Sequence, residues 1–320
     1  MRRTKILVWS IVSVLLLALL LTLFLFPGGV LPTSLFGHFY RYGNAEEYVT
    51  GTDTFAAEAV TALDIDWIEG AVILRPSEDR TFSIEESAAV SLENENDQMH
   101  TRLSDGTLSI KYAASGKLRL GMRKTLIVRV PFTVRLSWLK VSTTSASLEL
   151  TSLACEKMDL STTSGSMKIR DSNGVDLTAG STSGRVTLTG STFGDIEINT
   201  TSGDMVLDDV GTGTLLIDST SGSLRFAGRA TAIRANTTSG SVHLTPETDE
   251  LSEINVDSTS GDVTVLLPEG TGFSASLDSV SGDFRGNFDA RRSGSVYLCG
   301  DGKIRITVNT VSGDLRLEKK

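Results

Sequence analysis

The chain of 320 residues has two cysteines and three histidines, and each shortage excludes chemistry. Cys155 and Cys299 are too few for a disulfide-dense scaffold and do not form a two-Cys zinc pair. His38, His100 and His243 are scattered, none at ligand spacing from another or from a cysteine, so no metal centre and no cofactor are read. A Gly-rich phosphate loop and a nucleophile elbow are also missing. Long apolar runs are absent apart from Ile6 to Phe26. Basic residues are outnumbered: setting aside Arg2, Arg3 and Lys5 leaves 27 Lys plus Arg against 39 Asp plus Glu, a formal −12. That surface disfavours nucleic acid and anionic lipid as partners and permits divalent cations.

What the chain does have is one short phrase written nine times. Its centre is Ser-Gly, with Ala146 replacing Gly in the first copy at Ser145. The other copies are Ser164-Gly165, Ser183-Gly184, Ser202-Gly203, Ser221-Gly222, Ser239-Gly240, Ser260-Gly261, Ser281-Gly282 and Ser312-Gly313. The intervals are 19, 19, 19, 19, 18, 21, 21 and 31 residues. Six and four positions before the Ser the column is apolar, as in Leu139 and Val141 or Ile196 and Ile198. Three and five after it the column is apolar again, broken by Gly286. Spacing of two on each side is the strand period, so each copy reads as two short strands with one inward face.

The last apolar position before the Ser-Gly and the first after it are seven apart, an odd number. The Ser-Gly step must therefore turn the chain and restore the inward direction, which predicts glycines at positive φ. One such coil cannot bury its own apolar face, and stacked coils can, so the sequence predicts an all-β fold, a parallel β-solenoid of about 19–21 residues per coil. Ser or Thr two before the Ser, and Asn or Asp three before it from Asn199 to Asn309, are expected to satisfy the turn through nearby backbone. Stacking in chain order puts Cys155 and Cys299 about seven rungs, or ~34 Å, apart, beyond the ~7 Å limit for a disulfide.

In chain order, residues 1–5 form a basic tail and 6–26 a transmembrane helix of sufficient length to cross a bilayer. The basic end stays cytoplasmic, so the carboxy-terminal part is expected outside the cell membrane on a single-pass anchor. Residues 27–55 read as a membrane-proximal linker, in which Phe36, Phe39, Tyr40 and Tyr42 around His38 and Arg41 either lie at lipid headgroups or belong to an ordinary loop packed on the first strands. Residues 56–141 are strand-like without the phrase, either irregular first coils or a cap, and 142–320 are the solenoid. Within 56–141, Ser91 to His100 reads as a surface loop and Ser115-Gly116-Lys117-Leu118 echoes the repeat. The long last interval holds a partial copy at Ser293-Gly294 and three arginines, Arg285, Arg291 and Arg292, the best local candidate for a contact loop. Asp204, Asp262, Asp283 and Asp314 share the position after the glycine and are the residues on which glycan cleavage or calcium binding would have to rest.

The Thr-Thr-Ser-Gly phrases at 162–165, 200–203 and 237–240, the Leu126 to Pro131 run, and Gly300-Asp301-Gly302 leading to Thr310-Val311-Ser312-Gly313-Asp314 resemble the bacterial β-strand-repeat family of adhesin-like, or LiaG-like, proteins. The resemblance covers roughly residues 56–320. It implies a surface-exposed, membrane-tethered protein tied to adhesion or envelope stress, and carries over no catalytic residue. The expected function is a non-enzymatic extracytoplasmic solenoid that meets a cell-wall polymer or surface protein. Two other classes stay open: a self-assembling structural scaffold and a polysaccharide-active β-helix enzyme.

Overall fold

Alternating side chains on either side of each Ser-Gly make paired strands, and in the computed structural model these pairs stack in parallel and in register into an all-β solenoid. Residues 39–51 and 54–320 are described. The expected tail, the helix over 6–26 and the start of the linker lie outside them, and no helix among the described residues is long and apolar enough to cross a membrane.

Register follows the columns. Leu139, Met158, Leu177, Ile196, Leu215, Ile233 and Ile254 pair rung to rung as one file. Leu148, Met167, Val186, Met205, Leu224, Val242 and Val263 make a second. Both files belong to a single buried core, which is how coils too small to fold alone stabilise one another.

Eleven rungs make the stack, and the order of the outer ones is not chain order. Seven rungs run in sequence from Leu136–Thr143 with Ser147–Thr151 to Glu253–Ser258 with Val263–Leu267. At the far end, Ile304–Thr310 and Leu315–Lys319 pair next to that last rung, and Phe273–Ser279 with Phe284–Gly286 lies outside them. At the near end, Ala62–Trp67 with Gly70–Ser77 is the inner rung, and Thr107–Lys111 with Lys124–Pro131 the outer one. Ten steps of about 4.8 Å give a stack ~48 Å long.

Both outer rungs are covered by antiparallel strands. His100–Ser104 pairs with Thr107–Lys111, and Thr81–Ser87 with Lys124–Pro131. At the other end Val296–Cys299 pairs with Phe273–Ser279, and Arg291–Ser293 with Val296–Cys299. A bare parallel edge would offer a row of unpaired N–H and C=O groups to another chain; the reversed strands cover that edge at both ends except along Phe284–Gly286, which pairs with Leu315–Lys319 alone.

Three expectations change. The Ser115-Gly116 echo is not a corner of the stack, because Gly116–Lys117 pairs antiparallel with Phe39–Tyr40. The Ser293-Gly294 copy is not one either: Ser293 pairs with Val296 across a two-residue hairpin loop, and Gly294 takes φ 63° there. The run to His100 turns inward at its end, where Met99 is fully buried and Asp97 nearly so.

The repeated glycines are needed for a reason other than the one expected. None of the eight takes a left-handed φ. Instead a Cβ on Gly203 would stand 2.1 Å from the carbonyl oxygen of Gly184, and one on Gly184 1.8 Å from that of Gly165. The corner backbones approach too closely for any side chain. Ala146 stands in register over Gly70, which unlike the corner glycines takes φ 100°, so the backbone beneath it follows a different path. Each corner is closed by the hydroxyl two before its Ser: Thr200 Oγ1 accepts the N–H of Gly203 at 2.8 Å and donates to its carbonyl at 3.1 Å. Thr162, Thr237 and Thr310 accept the same N–H in their own turns.

Candidate functional site

The eight Ser-Gly corners stack with Ser145-Ala146 along one edge, hydrogen-bonded rung to rung through their backbones, as in Ser183 N–H to the Thr163 carbonyl at 2.9 Å. Beside them the Asn/Asp column reads, in stack order, Asn199, Asp218, Asn236, Asp257, Asn309, Asp278. The two residue types alternate without a break. These side chains were expected to bond backbone, and instead bond along the axis: Asn236 Nδ2 donates to Asp218 Oδ1 and Asn309 Nδ2 to Asp257 Oδ1, both at 2.8 Å. Alternation keeps carboxylates from facing each other across one rung. Asn309→Asp should therefore set three carboxylates in a row and destabilise the end of the stack by about 1–2 kcal/mol, partly recovered in 1 M salt. Thermal unfolding at low and high salt checks this, and no loss at low salt refutes it.

The swapped order also gathers three of the four candidate aspartates. Asp262, Asp314 and Asp283 occupy successive rungs, whereas Asp204 is three rungs away. Two of the three carboxylates are already engaged, and Asp283 meets only Arg285, at 3.5 Å. Asp262 Oδ1 accepts the N–H of Asp314, and Asp314 Oδ1 that of Asp283, both at 3.0 Å. Arg316 spans Asp262 at 3.0 Å and Asp314 at 3.2 Å. The Asp314 N–H, and then the Arg316 guanidinium, hold the Asp262 carboxyl below its ordinary 3.8. By linkage its contribution to stability is complete above 3.8 and lost as pH falls through the lower folded value. Among the described residues no group of three or more His, Cys, Asp or Glu is placed to hold a metal ion.

The arginines lie at this same end, and the structure separates them. Arg285 lines a cleft of about 390 Å³ between the outermost rung and the hairpin that covers it. Phe273 and Leu317 form its buried floor. Phe284 and Tyr297 stack with centroids 3.7 Å apart and planes 9° from parallel, and Phe288 meets Phe273 edge-on at 5.1 Å. Arg292 sits 5.4 Å over the Tyr297 ring, and Lys319 5.8 Å over Phe288. Arg291 is the exception: it pairs with Leu298, one residue along the hairpin, and so points to its other face.

Comparison with known proteins bears on this arrangement. A family model described as Toastrack DUF4097 matches residues 60–318. The chain belongs to the Toastrack DUF4097 family. Solved structures similar to this Toastrack chain include one from Parabacteroides distasonis described as a putative lipid binding protein, 15% identical with a TM-score of 0.51, covering 88% of this chain and 100% of its own. A putative adhesin from Parabacteroides merdae is 11% identical with a TM-score of 0.40, covering 84% and 95%. A putative cell adhesion protein from Clostridium sporogenes is 12% identical with a TM-score of 0.29, covering 85% and 100%. At these identities the likeness concerns the fold alone. No curated protein matches the chain.

Sequence reasoning located the Toastrack chain's arginines but missed the aromatic cleft. Phe273, Phe284, Phe288 and Tyr297 follow no common period, because they come from two strands of the outer rung, the segment after it and the returning hairpin. The irregular 31-residue interval was the available signal. Cys155 and Cys299 are both free, and burial pushes the Cys155 thiol up to about 11, so that thiol is inert.

Proposed function

We propose that this Toastrack protein is a non-enzymatic, membrane-anchored binding protein outside the cell, which holds the cleft end of its solenoid away from the bilayer to meet an envelope or surface partner. The observation that carries this reading is the chemical difference between the two ends. The chain enters at Phe39, beside the amino-terminal cap, after an apolar stretch long enough to span a membrane. There Phe39 and Leu120 are exposed at 59% and 46%, and residues 112–123 carry the exposed Lys117, Arg119 and Arg123 with no acid. Such a surface suits lipid headgroups. The aromatic cleft with its cations lies at the opposite end, about 48 Å away by the rung spacing.

Against catalysis, Asp204, Asp262 and Asp314 of the aspartate column are committed to backbone N–H groups and arginines. Against end-to-end assembly, reversed strands cover both strands of the amino-terminal outer rung and the Phe273–Ser279 strand of the other. The test is labelling of intact producing cells with a membrane-impermeant maleimide, using Leu298→Cys in a Cys155→Ala, Cys299→Ala background. Labelling before lysis, in protein that stays with the membrane after a high-salt wash, is expected. Labelling only after lysis, or release by salt, contradicts the reading.

A further inference from the structure

The lining of the end cleft is selective in what it can satisfy. Its side chains offer rings, Leu317 and Ala290, and the polar atoms among them are the Arg285 guanidinium and the Tyr297 hydroxyl. A saccharide, with several hydroxyls per ring, would find two polar side-chain partners here. A hydrocarbon chain needs none. The volume, about 390 Å³, falls in the range of ligand pockets and is more than twice the ~150 Å³ cavity that takes one benzene.

The charge around the cleft is as selective as its floor. The whole chain is −9, yet Arg285 lines the cleft and Arg292 and Lys319 lie over two of its rings, Tyr297 and Phe288. Lys319 is paired with Glu269 at 3.0 Å. Arg285 reaches its two aspartates only at 3.5 and 3.6 Å, with its side chain still 61% exposed. Arg292 has no carboxylate partner among the described residues; its Nε donates to the Gly294 carbonyl at 3.1 Å and its cation rests on Tyr297. Stacking on a ring leaves the remaining guanidinium N–H groups free for a fork-like bond to an anion.

We propose that the cleft binds a single-chain anionic amphiphile, with the hydrocarbon tail against Phe284, Phe288 and Tyr297 and the carboxylate between Arg285 and Arg292. The ligand is the free monomer in water rather than a lipid still in the bilayer, because the cleft opens at the end of the stack remote from the anchor. That last point rests on the function proposed above. The chemistry of the cleft stands without it.

The experiment is calorimetric titration of the full chain, held in lipid nanodiscs, with pentanoate, hexanoate and octanoate, each corrected against empty nanodiscs. Saturable one-site binding is expected, tightening about fourfold per added methylene. Octanol and octylammonium should bind at least tenfold more weakly than octanoate. Arg285→Gln/Arg292→Gln should weaken octanoate tenfold or more, the single Arg292→Gln, which leaves no buried group unpaired, should weaken it severalfold, and Arg291→Gln should leave it unchanged. Melting curves confirm that each variant is folded. Heat no greater than empty nanodiscs, equal affinity for octylammonium, or equal loss in Arg291→Gln and Arg292→Gln each overturns the proposal. None of these outcomes depends on which side of the membrane the protein occupies, so failure here and failure of the cell-labelling test are separate results.

Discussion

Gly203→Ala is expected to destabilise the solenoid by about 3 kcal/mol or more, and to lower the melting temperature by on the order of 10 °C. The added Cβ would lie 2.1 Å from the Gly184 carbonyl oxygen and 2.9 Å from its carbon. Neither atom is the end of a flexible side chain. Both corners are pinned to their neighbours by backbone bonds, Thr201 N–H to the Ser181 carbonyl at 3.1 Å and Ser202 N–H to the Thr182 carbonyl at 2.9 Å. Relief therefore requires the rungs to separate, which breaks the ladder on both faces. Gly282→Ala meets the Gly313 carbonyl at 1.9 Å, but Gly282 is on the outermost rung, which can shift outward, so a smaller loss is expected. Gly43→Ala has open space around it and should change stability by no more than about 0.5 kcal/mol. Equal effects at Gly203 and Gly43, read by thermal unfolding, would refute the close-approach explanation.

Lys124→Met should cost about 3–5 kcal/mol, because it leaves a buried carboxylate without its partner. Lys124 is fully buried in the amino-terminal cap, with Nζ 2.5 Å from Glu86 Oε1, whose side chain is 7% exposed. The ammonium also donates to the Asp97 carbonyl at 2.7 Å and to that of Tyr112, and lies 4.2 Å from the Tyr112 ring centroid and 5.1 Å from that of Trp67. Its own carbonyl accepts Trp67 Nε1 at 3.0 Å. One side chain thus joins the covering strand Thr81–Ser87, the Asp97 turn and the corners of the inner and outer rungs of the amino-terminal end. Burial holds its pKa below the ordinary 10.5, against the opposing pull of Glu86. Lys124→Met/Glu86→Leu should recover part of the loss, since removing both charges is far less costly than removing one. A single variant as stable as the parent would show that the cap does not depend on this pair.

The regular part of the fold was legible because its physics is periodic. Alternation by two gave the strands, and the recurring Ser-Gly gave the corners. The glycines were found for the wrong reason. A left-handed turn and a close backbone contact both demand glycine, and a single sequence does not distinguish them. The swapped outer rungs were not read, although one column carried the information. In chain order the Asn/Asp file ends Asp257, Asp278, Asn309, with two carboxylates adjacent, and only the insertion of Asn309 between them restores the alternation seen from Asn199 onward. The caps and the cleft left no such trace. Lys124 looks like one of several surface cations in 112–124, and the cleft aromatics are assembled by a reversed strand whose partner no local pattern specifies.

That out-of-order outer rung, and the hairpin closing it, create the contact end on which the functional account depends. Cysteine pairs test it most directly, in a Cys155→Ala, Cys299→Ala background. Asn255 pairs in register with Thr307, and Thr307 with Ser276, so Asn255 and Thr307 are about one 4.8 Å rung apart and Asn255 and Ser276 about two. Mild oxidation should bridge Asn255→Cys with Thr307→Cys and leave Asn255→Cys with Ser276→Cys reduced, since Cα atoms beyond ~7 Å cannot be bridged. A bridge in the second pair and none in the first would mean that the rungs follow chain order, and would contradict the account.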